Sequence, residues 1–150
     1  MEYEIFERDF VIRTLKIIEQ YENNIRGDNK FETTLLINCL FGLLILPKEK
    51  CYVNIPIEPI SKLTGWGLNM AHILSWGTRA KKFPKEHYET ILELVHRLRN
   101  SIAHLNIKAK GDGSNITELE FKDNYGFFAV VPVDSLKMFV TRLASSINRD

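Results

Sequence analysis

The chain is poor in the residues that would fix its chemistry by themselves. It has only two cysteines, Cys39 and Cys51, neither in a CxxC pair nor at zinc-binding spacing from a histidine. A disulfide framework and a zinc-ligand pattern are thus both missing, and the chain reads as reduced and cytoplasmic. Cys39, inside an apolar run, is most simply a small buried hydrophobe. There is no charge of one sign in bulk either: 20 basic and 19 acidic side chains leave a formal net charge of +1, so any contact with nucleic acid must come from local clusters. The longest apolar stretch, Leu35 to Leu46, is broken by Asn38 and falls short of the roughly 18 to 20 residues a membrane-spanning helix needs. The start, Met1-Glu2-Tyr3-Glu4, is acidic and unlike a signal peptide. No membrane association is expected.

What is present fits one domain over residues 1–150, since a chain that is 45% hydrophobic can bury its own core at this length but not two separate ones. From Phe6 to about Asn24, apolar groups at Phe6, Phe10, Leu15, Ile17, Ile18 and Tyr21 recur at helical spacing among charges. This predicts an amphipathic helix, ended near Asn23-Asn24 or Arg26-Gly27 and followed by a turn at Gly27-Asp28-Asn29. Glu32 to Leu46 is apolar on almost every side until Pro47, and predicts a central core helix. Asn38 is its awkward member: a buried amide must find partners, as a structural hydrogen-bonding residue in the core or as a support behind an active site.

Between Pro47 and Trp76, Pro47, Pro56, Pro59, Gly65 and Gly67 indicate an irregular connector, with a short helix expected from about Asn69 to Trp76. Trp66 and Trp76 either tie this loop to the body or offer rings for base stacking. Arg79, Lys81, Lys82 and Lys85 form the densest basic cluster, either a solvated surface or a phosphate-tracking patch. Pro84 is placed to open a long helix reaching about Ala103. Beyond His104 the pattern changes to Leu105 to Ala109, Ile116 to Phe121 and Phe127 to Val131, separated by Gly111-Asp112-Gly113-Ser114 and Asp123-Asn124-Tyr125-Gly126. Alternation bounded by turn residues predicts a small antiparallel β meander. A last helix should run from Asp134 or Ser135 to about Ile147.

The chemistry concentrates in Arg97-Leu98-Arg99-Asn100-Ser101-Ile102-Ala103-His104. On a helical wheel with Arg99 at the origin, Ala103 falls at about 40°, His96 at about 60°, Asn100 at about 100° and His104 at about 140°. Ile91, Leu94, Val95, Leu98 and Ile102 collect between about 220° and about 320°. A cation, an amide and a group titrating near neutral pH therefore share one face, away from the core. RNA cleavage needs these properties: histidine moves the proton at the 2′-oxygen or the leaving 5′-oxygen, and arginine neutralises the phosphorane. Arg, Asn and His also favour helix C-termini for reasons of dipole and capping alone. One patch supplies one acid/base group where two are useful, and a two-fold dimer would supply the second.

Arg99-Asn100-Ser101-Ile102-Ala103-His104 resembles the motif of the HEPN superfamily (higher eukaryotes and prokaryotes nucleotide-binding): Arg, usually a polar residue, then His after four to six residues near a helix end. With the two preceding helices the resemblance covers most of residues 5 to 104. The order Thr33-Thr34-Leu35-Leu36-Ile37-Asn38 followed by Leu46-Pro47-Lys48-Glu49 is also similar to small bacterial HEPN nucleases often found on mobile elements. The resemblance implies a mainly α, up-and-down bundle dimerising through the motif helices; the small β meander before the C-terminal helix is more strand than that bundle carries, a departure read as a decoration that covers the site or extends the dimer interface. It also implies an endoribonuclease of toxin or phage-defence type, with Arg99 and His104 catalytic and Asn100 supporting. His96, Arg97, Arg79, Lys81 and Lys82 are the candidate substrate-binding residues. No metal or other cofactor and no DNA substrate are expected; RNA, a second copy of the chain and an antitoxin or defence-system partner are the expected partners. A non-catalytic nucleotide- or RNA-binding module, or an interaction subunit, is the alternative. Leu105-Asn106-Ile107 stands where HEPN toxins controlled by a nucleotidyltransferase usually carry a tyrosine, so that mode of control is not implied.

Overall fold

A computed structural model describes residues 6–24, 32–45, 52–78 and 82–148. The expected turn at Gly27-Asp28-Asn29, together with Pro47, Cys51, Arg79 and Lys81, lies outside the described residues. Four α-helices, α1 (Phe6–Asn24), α2 (Glu32–Ile45), α3 (Ile91–Ala103) and α4 (Val133–Ile147), accompany four strands, β1 (Ile73–Trp76), β2 (Ile107–Gly111), β3 (Ile116–Lys122) and β4 (Phe127–Pro132).

Helices α1 and α2 form where the apolar spacing predicts them. Val11 and Ile18 of α1 and Leu36, Leu40, Leu43 and Leu44 of α2 are buried, and α2 touches each of the other three helices. Asn38 corrects its expectation: with Thr34 and Ile45 it lies on the exposed stripe of α2, so its amide meets water and has no buried bond to satisfy. Tyr52, beyond the helix, donates its hydroxyl to the Leu44 carbonyl at 3.0 Å, serving one of the terminal acceptors a helix leaves open.

The β component is larger than a meander. Strands β2, β3 and β4 pair in sequence, but β1 joins the free edge of β4, giving an antiparallel four-stranded sheet in the order β1-β4-β3-β2. The helix expected over Asn69 to Trp76 is therefore replaced. Only Met70–His72 coils, as a 3₁₀ turn capped by Asn69, and Ile73 and Trp76 are buried as the chain extends along β4. Edge pairing overrides local preference here. Leu119 and Phe121 of β3 and Phe127, Ala129 and Val131 of β4 face inward, where α3 and α4 contact the sheet. Trp66 packs against Phe139, and Trp76 against Tyr88 and Phe127, as the packing alternative for both tryptophans requires.

Two helix starts differ from expectation. Pro84 opens only a 3₁₀ turn, Lys85–His87; Thr90 is extended and bridges to Pro59, and Ile60 N–H donates to the Glu89 carbonyl at 2.7 Å. Thr90 then becomes the true cap of α3, its hydroxyl accepting from Glu93 N–H at 3.1 Å. Helix α4 begins at Val133, with Pro132 at the cap position and Asp134 inside the first turn, where its charge suits the helix dipole. Among the described residues no helix is long and apolar enough to cross a membrane.

Candidate functional site at the end of helix α3

Helix α3 buries Ile91, Leu94, Val95, Leu98 and Ile102, the stripe that the wheel separates from the polar face. Arg99 and Asn100 are half-buried, while Ala103 and His104 are exposed. His104 is the C-terminal cap, its N–H donating to the Asn100 carbonyl at 3.1 Å. The motif side chains thus lie along the last turn of one helix, toward solvent.

The helix ends in a Schellman arrangement: Leu105 N–H donates to the Ile102 carbonyl at 3.0 Å and Asn106 N–H to the Ser101 carbonyl at 2.8 Å. The residue in the left-handed conformation, φ +55°, is Leu105, a place usually taken by glycine. Its side chain is 86% exposed, so no burial offsets the strain. The chain stops α3 at His104 and passes directly into β2 through this strained, protruding leucine.

Arg97 has a different place from the one expected of it. At about 160° on the wheel it should sit beside His104, yet its side chain is only 8% exposed. Its Nε donates to Glu93 Oε1 at 2.8 Å and its Nη1 to Asp123 Oδ2 at 3.0 Å. The turn between β3 and β4 covers this flank of α3 nearly two helical turns before His104 and leaves His104 clear. Arg97 is thus engaged inside the protein, and its assignment to substrate binding is corrected to a structural one. Glu93 and Asp123 are the residues that sequence reasoning missed. Asp123 was legible only as a turn former, because its partner lies 26 positions away.

The Asp123 carboxylate has further partners. Oδ1 accepts from Tyr125 N–H at 2.8 Å and from Phe127 N–H at 2.9 Å, so the same side chain shapes the turn and anchors it to α3. Gly77, at φ +87°, presses on this turn: a Cβ there would lie 2.4 Å from the Tyr125 carbonyl oxygen, which accepts from Thr78 N–H at 2.9 Å.

His96 lies two turns before His104, about 12 Å along the axis, with its ring against Tyr52 at 6.3 Å. The His96 imidazole, with Nδ1 3.9 Å from Glu93 Oε2, and the Arg97 guanidinium together hold the Glu93 carboxyl below its ordinary range, although burial opposes them. Around His96 two recesses adjoin. One of about 300 Å³ is lined by Tyr52, Val53, Ile55, Ile57, Leu92 and His96. The other, of about 420 Å³, shares Ile57, Leu92 and His96 and adds Glu86, His87, Thr90 and Glu93. Val53 and Ile57 are 80% and 69% exposed, so an apolar margin borders the accessible side of α3.

Lys82 is exposed. No three His, Cys, Asp or Glu side chains come together among the described residues in a way that could hold a metal ion. What the site offers is a guanidinium, an amide and an imidazole at an exposed helix end.

Compared with known proteins, the whole chain, residues 1–150, matches a family model described as HEPN pEK499 p136. Neither the curated proteins nor the solved structures give a match.

Proposed function

The chain belongs to the HEPN superfamily, a group of nucleases and RNA-binding modules, and from that footing we propose that it is a metal-independent endoribonuclease acting on single-stranded RNA. The observation that carries the reading is the sorting along α3: Arg99, Asn100 and His104 lie toward solvent at its last turn, whereas Arg97, two residues from Arg99, is held inside by two carboxylates.

The site is composite, formed by two copies of the chain about a two-fold axis, so that one surface faces itself. One His104 takes the proton from the ribose 2′-hydroxyl as its oxygen attacks phosphorus. Arg99 neutralises the charge that builds on the non-bridging oxygens. The second His104, protonated, gives its proton to the leaving 5′-oxygen as the P–O bond breaks. The products are a 2′,3′-cyclic phosphate and a 5′-hydroxyl, and the two histidines have exchanged protonation states. Asn100 holds a phosphate oxygen or orients the imidazole. The open face of α3 and the apolar margin at Val53 and Ile57 support a second copy seated there. Toxin or phage-defence service in the cytoplasm is the setting that the family resemblance supports.

Cleavage of single-stranded RNA in the presence of a chelator tests the proposal. The parent chain is expected to cut and His104→Ala to lose cutting. A strict metal requirement, or full activity of His104→Ala, overturns it. Retention of Arg99-dependent RNA or nucleotide binding without cleavage by the parent would assign the site to a non-catalytic binding module.

A further inference from the structure

The sheet has one face against the helices and one that the described helices leave open. On the open face the register sets Lys122 directly across from Phe128, and Lys108 across from Glu120. Lys108 and Lys122 are exposed and Phe128 is half-exposed, the Lys122 ammonium standing 4.7 Å above the Phe128 ring. We propose that Lys108, Lys122 and Phe128 form a binding track for the single-stranded RNA that flanks the phosphate held at His104. The inference rests on the reading of the α3 end as an RNA site.

Position supports it first. Lys122 N–H donates to the Asn106 carbonyl at 3.0 Å, two residues beyond His104, and the Asn106 amide donates to Asn124 Oδ1 at 3.3 Å. From the end of α3 the surface therefore runs through two exposed or half-exposed amides to Lys122 and then Phe128, covering two strand spacings, about 10 Å. That is continuous with the motif and within reach of the nucleotides that lie beyond the two joined by the scissile phosphate.

Charge supports it next. The acidic groups on this part of the sheet, Glu118 and Glu120, both turn to Lys110, at 3.7 Å and 2.5 Å. Glu120 is bonded to Lys110 and only feels the charges of Lys122 and Lys108 from further off, and among the described residues no carboxylate lies within ion-pair distance of Lys108 or Lys122. These two lysines remain available to phosphates, which provide most of the non-specific affinity for nucleic acid. The ring beneath Lys122 adds what an acidic protein partner would not need. A lysine is held only weakly over an exposed ring, so a base can take its place on Phe128 while the ammonium moves to the adjoining phosphate. Cation, aromatic ring and amides in one line fit a single strand better than a duplex, whose bases are not open to stacking.

The test uses the full-length chain with a single-stranded oligonucleotide made uncleavable by 2′-O-methyl riboses, and affinity read by fluorescence anisotropy across a salt series. Phe128→Leu is expected to weaken binding about five- to a hundred-fold. Lys122→Ala and Lys108→Ala should each reduce the slope of log affinity against log salt by about 0.7. Cleavage of a dinucleotide, too short to reach the sheet, is expected to be unchanged in all three variants. Thermal melting confirms that the fold persists, and the outward position of the substituted side chains makes this the expected result. Unchanged affinity and unchanged salt slope in a chain carrying all three substitutions overturn the track, as does loss of association with a protein partner in place of RNA. Failure of the nuclease reading is separable: there His104→Ala cuts as well as the parent while the sheet variants still lose oligonucleotide binding.

Discussion

Arg97 Nη1 donates to Asp123 Oδ2 at 3.0 Å, and through this bond the helix that carries Arg99 and His104 is fastened to the turn between β3 and β4. Both side chains are almost wholly buried, at 8% and 1% exposure. Removing one partner leaves the other charged in the interior, at a cost of about 3 to 5 kcal/mol, whereas an apolar replacement of similar length spares part of this by filling the space. Arg97→Ala is expected to lower stability by that amount in denaturant unfolding, with Arg97→Met intermediate. A change below about 0.5 kcal/mol would show that the bond does not hold the turn.

Glu93 gives the protein an acid sensitivity whose sign is fixed. Its carboxyl is held below the ordinary range by His96 and Arg97, so the folded form binds that proton less readily than the unfolded chain. The resulting stability is fully present above the ordinary carboxylate value and disappears as pH falls through the lower folded value. Glu93→Gln should therefore flatten the decline in stability below the ordinary carboxylate range, measured as melting temperature against pH. An unchanged acid limb would refute the assignment.

Leu105 holds a left-handed conformation with its side chain almost entirely in solvent. For an L-residue that conformation costs roughly 1 to 2 kcal/mol, and glycine avoids it while losing about 0.5 to 1 kcal/mol of backbone freedom. Leu105→Gly is expected to raise the stability of the isolated chain by about 0.5 to 1 kcal/mol, and Leu105→Ala to leave it nearly unchanged. Destabilisation by glycine would mean that the leucine side chain has contacts that its exposure conceals.

If each cleavage site uses His104 from both copies, subunits must fail in pairs. After unfolding and refolding together, equal amounts of parent and His104→Ala chains should form about a quarter parent dimers by random pairing, with activity falling to about that fraction. Activity at about three quarters of the parent value would mean that one histidine suffices at a shared site, and about half that each copy works alone.

Local pattern carried much of the architecture. Phe6 to Asn24 and Glu32 to Ile45 are helices because their apolar residues recur at helical spacing, and β2, β3 and β4 are legible because their alternation is bounded by turn residues. The separation of Arg99, Asn100 and His104 from the apolar stripe of α3 is likewise geometry that any helix would impose. Ile73 to Trp76 was not legible, since only the open edge of β4 makes that segment a strand. The late start of α3 at Ile91 was hidden for the same kind of reason, because Pro59 and Ile60 pair with Thr90 and Glu89.

The sequence by itself determined the helix faces, the meander, and the motif's place at a helix end away from the apolar stripe, all of which follow from residue spacing within each element. Tertiary structure alone decided that Arg97 is interior while His104 is free, that Asn38 meets water, and that Lys122 and Phe128 share an open face beside the motif. These depend on residues distant in the chain, whose proximity no local period encodes. Arg97 and His104 have nearly the same azimuth on α3, and what separates their roles is the Asp123 turn lying over one and ending before the other.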